Sequence, residues 1–487
     1  MEKFYVTTPI YYVNAKPHVG HAYTTIIADI LARWNRLCGR EVFFLTGTDE
    51  HGSKVEKAAS AAGKDVKGFV DDVMKEYVDT WKVLNISYDK FIRTTDKEHE
   101  AAVSEFIKRL WDNGDIYKGT YEGWYCTPDE TFITDLELKD GKCPECGREV
   151  HKVKEDAYFF KLSKYREKLL EFYKDKPGFL IPKTKLNEVL NRMKDELRDL
   201  DITRKTVKWG VPFPFDKEHT VYVWFDALIN YISALGWPSS NGGFSKFWPA
   251  DVHLVGKEIV WFHSAIWPAM LMSAGLDIPK KILVNGFWVV EGRKMSKSIG
   301  NVVNPVDLSK KYSADAFRYA LIREKPTWED GDFSEASLVS RINGELMADL
   351  SNLVARVLTL AQKFDGKFHG DVELEKELDL SKIIRLFEAY DVNGALNEMW
   401  GFIRSVNKYI NDKEPWKLKG EGLSAVLYNA LESLRIISIL LSPFMPETCD
   451  KIAEQLGTEI GGINECSFGE FRGTVKRGKN LFEKINQ

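Results

Sequence analysis

A strand that runs through a short loop into a glycine at the head of a helix constrains a fold strongly, and this chain opens that way. Phe4 to Thr8 is β-branched and aromatic throughout, the composition of a buried strand. A loop with Pro9, Asn14 and Pro17 follows, and His18-Val19-Gly20-His21 then starts a helix. Ile26, Ile27, Ile30, Leu31, Trp34 and Leu37 make one apolar stripe along it, and Gly39 ends it. This order predicts an open parallel α/β sheet, where helix N-termini bring backbone N–H groups to phosphates. Gly20 has no side chain to block an adenine ring or a ribose. The imidazoles of His18 and His21 can donate to phosphate oxygens as negative charge builds there. Alone, the string would read as two histidines packed at a helix end.

A second string changes that reading. The apolar run Ile282 to Val290 leads into Gly292-Arg293-Lys294-Met295-Ser296-Lys297-Ser298-Ile299-Gly300-Asn301. Two lysines three apart, flanked by small hydroxyls and glycines, suit a mobile loop that closes over a triphosphate. Lys297 is placed to neutralise the β,γ-phosphates as pyrophosphate leaves. Pro17 to His21 and Lys294 to Ser298, in this order, resemble the two signatures of class I aminoacyl-tRNA synthetases. The resemblance implies His18, His21, Lys294 and Lys297 as catalytic residues acting on Mg2+-bound ATP. It adds Gly20 and Ser296 to the ATP contacts.

Composition sets the limits around this. With 487 residues and 44% hydrophobic content, the chain can bury more than one core, and two to four domains are expected. The net charge of −4 gives no global basic footprint, so a nucleic acid would be met by local patches. No N-terminal signal pattern and no apolar run long enough for a bilayer are evident, which predicts a cytoplasmic protein. Six cysteines in a chain this long do not make a disulfide scaffold.

The pattern along the chain predicts five segments. Residues 1–117 read as the first half of a Rossmann-type catalytic domain and 118–215 as a cysteine-bearing insertion. Residues 216–291 resume the sheet, 292–335 carry the second signature and a stem-contact segment, and 336–487 are helical. The fold class is α/β: a doubly wound parallel sheet split by a knuckle-bearing insertion, followed by an α-helical bundle. In the bundle Leu346, Leu350, Leu353, Val354, Val357 and Leu360 recur at helical spacing.

Further strings narrow the resemblance. Thr8 to Asn14, Gly47 to Gly52, Trp224 to Ala227 and Phe262 to Met270 are similar to methionyl-tRNA synthetases, and the similarity extends over essentially the whole chain. It implies a methionine pocket of Ile10, Tyr12, Trp224, Ala227, Leu228, Tyr231, Ile259, His263 and Trp267. Asp49 would pair with the substrate ammonium. Such a wall suits a thioether, which is apolar, polarizable and favours aromatic edges. Gly256 and Glu258 match the positions that contact the ATP ribose in that family, where Asp is common in place of Glu258.

Cys143-Pro-Glu-Cys146-Gly147 is a good zinc knuckle, and Cys126 precedes it. The family's usual further cysteine is Asp129 here, so the implied Zn2+ set is Cys126, Asp129, Cys143 and Cys146. In the helical part the resemblance implies anticodon contacts from Asn352, Arg356 and Trp416, with Ala348 where the family has an asparagine. The expected partners are tRNA(Met), ATP and L-methionine, and the expected state is a monomer. Two rival readings are a class I synthetase for an aliphatic amino acid and a non-catalytic tRNA-binding paralogue. The single compact insertion argues against the first, and intact His18, His21 and Lys297 against the second.

Overall fold

The computed structural model describes residues 2–126, 131–133, 138–144, 147–239, 243–295 and 300–486. The central sheet is parallel in every pairing. Lys3–Thr7 lies in the middle, with Glu41–Asp49 on one side and Val252–Gly256 on the other. Beyond Glu41–Asp49 comes Lys90–Arg93, and beyond Val252–Gly256 come Ile282–Asn285 and Leu180–Ile181. These strands read as apolar runs because helices cover both faces. The chain leaves Lys3–Thr7 towards one flank and later returns on the other. The crevice between Lys3–Thr7 and Val252–Gly256 is therefore the topological switch point, where open α/β sheets bind ligands.

The segment 118–215 is more than a single excursion. Ile116–Cys126, His151–Phe160, Thr131–Ile133 and Leu200–Asp201 form a separate antiparallel sheet. Between its strands, Leu180–Ile181 returns to the parallel sheet and pairs with Ile282 and Leu283. A two-residue strand carries too little periodicity to be visible in sequence.

The second signature grows out of a hairpin. Trp288–Val290 pairs antiparallel with Arg293–Lys294, and Glu291 and Gly292 turn it at φ +53° and +69°. Positive φ at both central residues is the tight-hairpin geometry that matches strand twist. Gly292 N–H donates to Asp332, and Gly331–Asp332 pairs along the other side of Trp288–Val289.

The C-terminal part is helical. Glu335–Arg341 continues through wide π-type turns over Ile342–Ser351 into Asn352–Ala361, and Leu380–Glu388, Val392–Lys413, Gly420–Leu441 and Pro446–Leu456 follow. The expectation that no apolar run could span a bilayer needs correction. Gly420–Leu441 is long and apolar enough, but 83% of its most apolar window is buried inside the protein. It is the core helix of the bundle. Its Glu432 and Arg435 pair at 2.9 Å and are satisfied by backbone: Gly469 and Phe471 N–H donate to Glu432, and Arg435 donates to the Glu465 and Ser467 carbonyls. That network fixes the start of the C-terminal tail.

Candidate active site

Helix Val19–Leu37 starts at the switch point, and its two histidines form its cap. His18 Nδ1 accepts from Gly20 N–H at 3.0 Å, and His21 Nδ1 accepts from His18 N–H at 3.3 Å. The rings stack with centroids 3.8 Å apart. Both Nδ1 atoms face backbone donors, so Nε2 is the N–H of each ring. Burial and the neighbouring His18 push the His21 pKa well down, so His21 is a neutral donor. Tyr11 and Tyr77 back it, with Tyr11 centred 5.0 Å from the His21 ring.

Gly20 is tightly packed against this cap. A Cβ there would lie 2.9 Å from His18 Cε1, so a side chain at this position would require the His18 ring to shift. Read from sequence, the glycine clears room for a nucleotide; in the structure, the first atoms met belong to His18.

The two signatures meet. Val19 N–H donates to the Val303 carbonyl at 3.1 Å, and the Met295 methyl reaches within 3.8 Å of a Cβ built on Gly20. The Lys294 backbone closes the hairpin opposite Val289. The Lys294 side chain, and Ser296 and Lys297, lie outside the described residues.

On the other side of the crevice, Gly256 ends its strand opposite Asn285. A Cβ on Gly256 would press on Phe287 at 3.1 Å, and Glu258 is exposed in the turn that follows. A cavity of about 280 Å3 adjoins this edge, lined by Lys185, Lys257, Asn285, Gly286, Trp328 and Glu329 among others.

The aromatic candidates fall into two layers. Ile10, Tyr12, Trp224 and Ile259 are half-buried, and Trp224 stacks on Phe262 at 4.2 Å. Behind them Ala227, Leu228, Tyr231, His263 and Trp267 are buried. Tyr231 O–H donates to His263 Nε2 at 2.7 Å, and His263 Nδ1–H donates to the Ile259 carbonyl at 2.9 Å. Burial holds the His263 pKa down at about 4, so the ring is neutral. Trp267 is fully buried and donates to His253 Nε2 at 3.3 Å. That leaves His253 Nδ1–H to donate to Thr7 Oγ1 at 2.8 Å. His253 is thus the link between the central strand and this layer, a role its sequence neighbourhood did not suggest. Asp49 is buried at the C-terminal end of Glu41–Asp49, and its carbonyl accepts from Val13 N–H.

A second buried relay is invisible in the sequence. Asp226 sits between His51 Nδ1 at 2.6 Å and His99 Nε2 at 2.7 Å, and His99 Nδ1 is 2.7 Å from the Ser233 hydroxyl. Asp226 and His51 both lie inside the strings quoted above, but His99 comes from another helix, and only spatial proximity reveals the set. The neighbouring Glu50 takes a bidentate contact from Arg93 at 2.8 and 2.9 Å. The loop that follows Asp49 is therefore pinned on one side to the helix that carries Trp224 and Ala227, through Asp226, and on the other to strand Lys90–Arg93.

Burial opposes charge on both partners of this relay. The His51 pKa is nevertheless raised, because Asp226, Glu100 and Glu50 surround it, and Asp226 is held at about 2 by His51 and His99. The signs follow by linkage. The His51 contribution is complete below its unfolded value and fades as pH rises through its raised folded value. The Asp226 contribution is present above the unfolded carboxylate value and is lost only as pH falls through about 2. His51→Gln should thus cost about 1.5–3 kcal/mol near pH 6, the worth of a hydrogen bond to a charged group, and clearly less at pH 9. Urea unfolding of both proteins at the two pH values checks it. An equal cost at both would show that His51 is not charged in the folded protein.

In the bundle, Arg356 donates to Asn411 Oδ1 at 2.7 Å and to Asn407 Oδ1 at 3.0 Å. Asn352 lies one turn before it and is exposed, and Trp416 is 51% exposed. In the insertion, Cys126 and Cys143 are buried together with Ile133. Gly147 at φ +68° turns the chain there, and its N–H donates to the Cys143 carbonyl. Asp129 and Cys146 lie outside the described residues, and no cluster of three metal-ligating side chains occurs among the described ones.

A doubly wound sheet whose switch point carries a His-x-Gly-His helix cap, touched by a lysine-rich hairpin, defines a class I aminoacyl-tRNA synthetase. The family model described as "tRNA synthetases class I (M)" matches residues 4–155 and 136–358, and "Anticodon-binding domain of tRNA ligase" matches 377–475. The methionine–tRNA ligase of Caldanaerobacter subterraneus subsp. tengcongensis is 49% identical over 99% of this chain and 79% of its own length. That of Thermotoga maritima is 47% identical over 99% of this chain and 80% of its own. The Mycobacterium tuberculosis methionyl-tRNA synthetase, solved in complex with methionyl-adenylate, superposes with a TM-score of 0.93 at 39% identity, covering 99% of this chain and 100% of that one. The chain belongs to the methionyl-tRNA synthetase family.

Proposed function

We infer that this protein is a methionine–tRNA ligase that activates L-methionine with Mg2+-bound ATP and transfers it to tRNA(Met). The observation that carries this reading is the meeting of both signatures at the switch point, together with a two-layer aromatic cluster. The methionine carboxylate attacks the α-phosphorus, methionyl-adenylate forms and pyrophosphate leaves. The terminal adenosine hydroxyl of the tRNA then takes the methionyl group. Neutral Nε2–H donors, a closing lysine loop and fixed positions supply electrostatic and proximity catalysis without a covalent enzyme intermediate. In this reading Gly256 and Glu258 meet the ribose, and Asp49 pairs with the ammonium. Methionine-dependent ATP–pyrophosphate exchange tests the reading, with leucine, isoleucine and cysteine as controls. Exchange driven equally by leucine would move the assignment to another amino acid.

The bundle is proposed to read the anticodon. Trp416, exposed behind Pro415, offers a face for stacking an unpaired base, and Arg356 is held ready by two asparagines. Trp416→Ala should lower kcat/KM for tRNA by roughly tenfold, since one base–aromatic stack is worth about 1–3 kcal/mol, with ATP–pyrophosphate exchange unchanged. Aminoacylation and exchange assayed side by side check this. A loss in both would place Trp416 in the fold rather than in recognition.

The insertion is proposed to hold zinc. Buried Cys126 and Cys143 beside a glycine-closed turn fit two arms of a knuckle, with Cys146 and Asp129 as further ligands. Untagged protein should carry about one zinc per chain by elemental analysis. Metal-free protein with full activity would make the knuckle a relic. A cytoplasmic monomer completes the proposal.

A further inference from the structure

After the last regular helix, Pro446–Leu456, the chain crosses back over itself. Gly457 caps that helix at φ +67°, and a Cβ on it would lie 2.5 Å from the Thr474 carbonyl oxygen. A Cβ on Gly473 would overlap the Leu456 carbonyl oxygen. Two glycines thus allow two backbones to touch, and this fixes where the tail leaves the crossing.

From there the tail has almost no regular structure of its own, yet it is tied at short intervals. Lys476 N–H donates to the Gln455 carbonyl at 2.8 Å, and Gly478 N–H donates to Gln455 Oε1 at 2.6 Å. Phe482 N–H donates to Ser351 Oγ at 3.2 Å, and Ile485 exchanges two 2.9 Å hydrogen bonds with the Asn343 side chain. The stretch Arg477 to Leu481 lies against Ser351, Val354 and Ala355.

This placement matters because of what stands next to it. Successive helical residues are about 100° apart, so the Ser351/Ala355 ridge borders the Asn352/Arg356 ridge. The tail therefore runs beside the face proposed to meet the anticodon. Residues 471–486 contain Arg472, Lys476, Arg477, Lys479 and Lys484 against one carboxylate, Glu483, in a chain of net charge −4. Lys476, Arg477 and Lys479 are exposed. No ion pair to these three occurs among the described residues, whereas many other surface lysines of this protein are paired.

Three adjacent cations held on a fixed backbone repel one another, and a polyanion relieves that repulsion. We propose that Lys476, Arg477 and Lys479 form a rail for the phosphate backbone of the tRNA anticodon arm, which positions the arm while Asn352, Arg356 and Trp416 meet its bases. The proposal rests on the tRNA-charging reading above. It assigns these residues a part that carries no sequence information, as phosphate contacts do.

Counterion release makes the rail measurable. Removing one cation that neutralises a phosphate should flatten the slope of log K against log salt concentration by roughly 0.7–0.9. tRNA(Met) binding to the full chain is measured between about 50 and 300 mM salt for wild type, K476A/R477A/K479A, K476R/K479R and Trp416→Ala. The triple alanine variant should flatten the slope by about 2 and weaken binding most at low salt, with ATP–pyrophosphate exchange unaltered as a check on folding. K476R/K479R should retain the wild-type slope. Trp416→Ala should weaken binding with the slope intact. A triple variant with wild-type slope and affinity overturns the rail, even if Trp416→Ala weakens binding and the anticodon reading stands. A flattened slope with a neutral Trp416→Ala keeps the rail and removes the stacking role.

Discussion

Lys297→Ala should slow methionyl-adenylate formation by a hundredfold or more while methionine affinity changes little. Removing one preorganised donor to developing charge costs on the order of 3 kcal/mol. A contact made only in the transition state lowers kcat rather than raising KM. The described residues on either side of the loop hold its two ends. The Glu291-Gly292 turn and the Val289–Lys294 pair hold the base of the loop, and Val19 N–H to the Val303 carbonyl holds its far side. Met295, the last residue described before the loop, brings its methyl within 3.8 Å of a Cβ built on Gly20 in the His18–His21 cap. Rapid-quench measurement of adenylate formation at saturating methionine and ATP checks the prediction, and an unchanged rate would take the loop out of the chemistry.

Arg318→Met should destabilise the protein by about 3–5 kcal/mol, the usual cost of removing one partner of a buried ion pair, although Arg33 stays 2.8 Å from Asp29. Arg318 and Asp29 are both fully buried and 2.7 Å apart. Arg318 also donates to the carbonyls of Leu84, Pro443 and Phe444, so it joins the signature helix to the bundle. Burial works against the Asp29 carboxylate, but Arg318, Arg33 and Ser87 more than offset it, and its pKa is lowered. The stability from this group is therefore present above the unfolded carboxylate value and is lost as pH falls through the folded one. Denaturant unfolding near pH 7 should show the full loss. The Asp29→Asn, Arg318→Met double variant should lose less than the sum of the singles, because either single already removes the interaction between the two side chains. Strict additivity would mean that the two side chains act independently.

The legible part of this protein was local. Strand Phe4 to Thr8, the loop prolines and the striped helix behind His18 are short-range patterns, and the sheet, the bundle and the two signatures followed from them. Met295 near Gly20 shows where that reading stopped. The sequence implied that the two strings cooperate, but the contact itself depends on a hairpin whose turn needs positive φ at Glu291 and Gly292. A steric constraint on Gly20 was hidden in the same way, because it comes from the ring of His18 folded back onto its own helix.

What the sequence by itself determined is the chemistry available: two imidazoles at a helix start, lysines three apart, a thioether-compatible set of aromatics, and cysteines at knuckle spacing. Such features depend on residue type and on separations of a few positions, which local backbone geometry turns directly into shared faces and shared loops. What only the tertiary structure decided is which charges are held buried and by what. Asp226 takes His51 and His99 from distant parts of the chain, Arg318 finds Asp29 from far along the sequence, and the tail lays Arg477 to Lys479 beside Ser351. These pairings are fixed by desolvation and close packing. A buried charge survives only where the whole fold delivers its partner to within hydrogen-bonding distance, and no local pattern records that delivery.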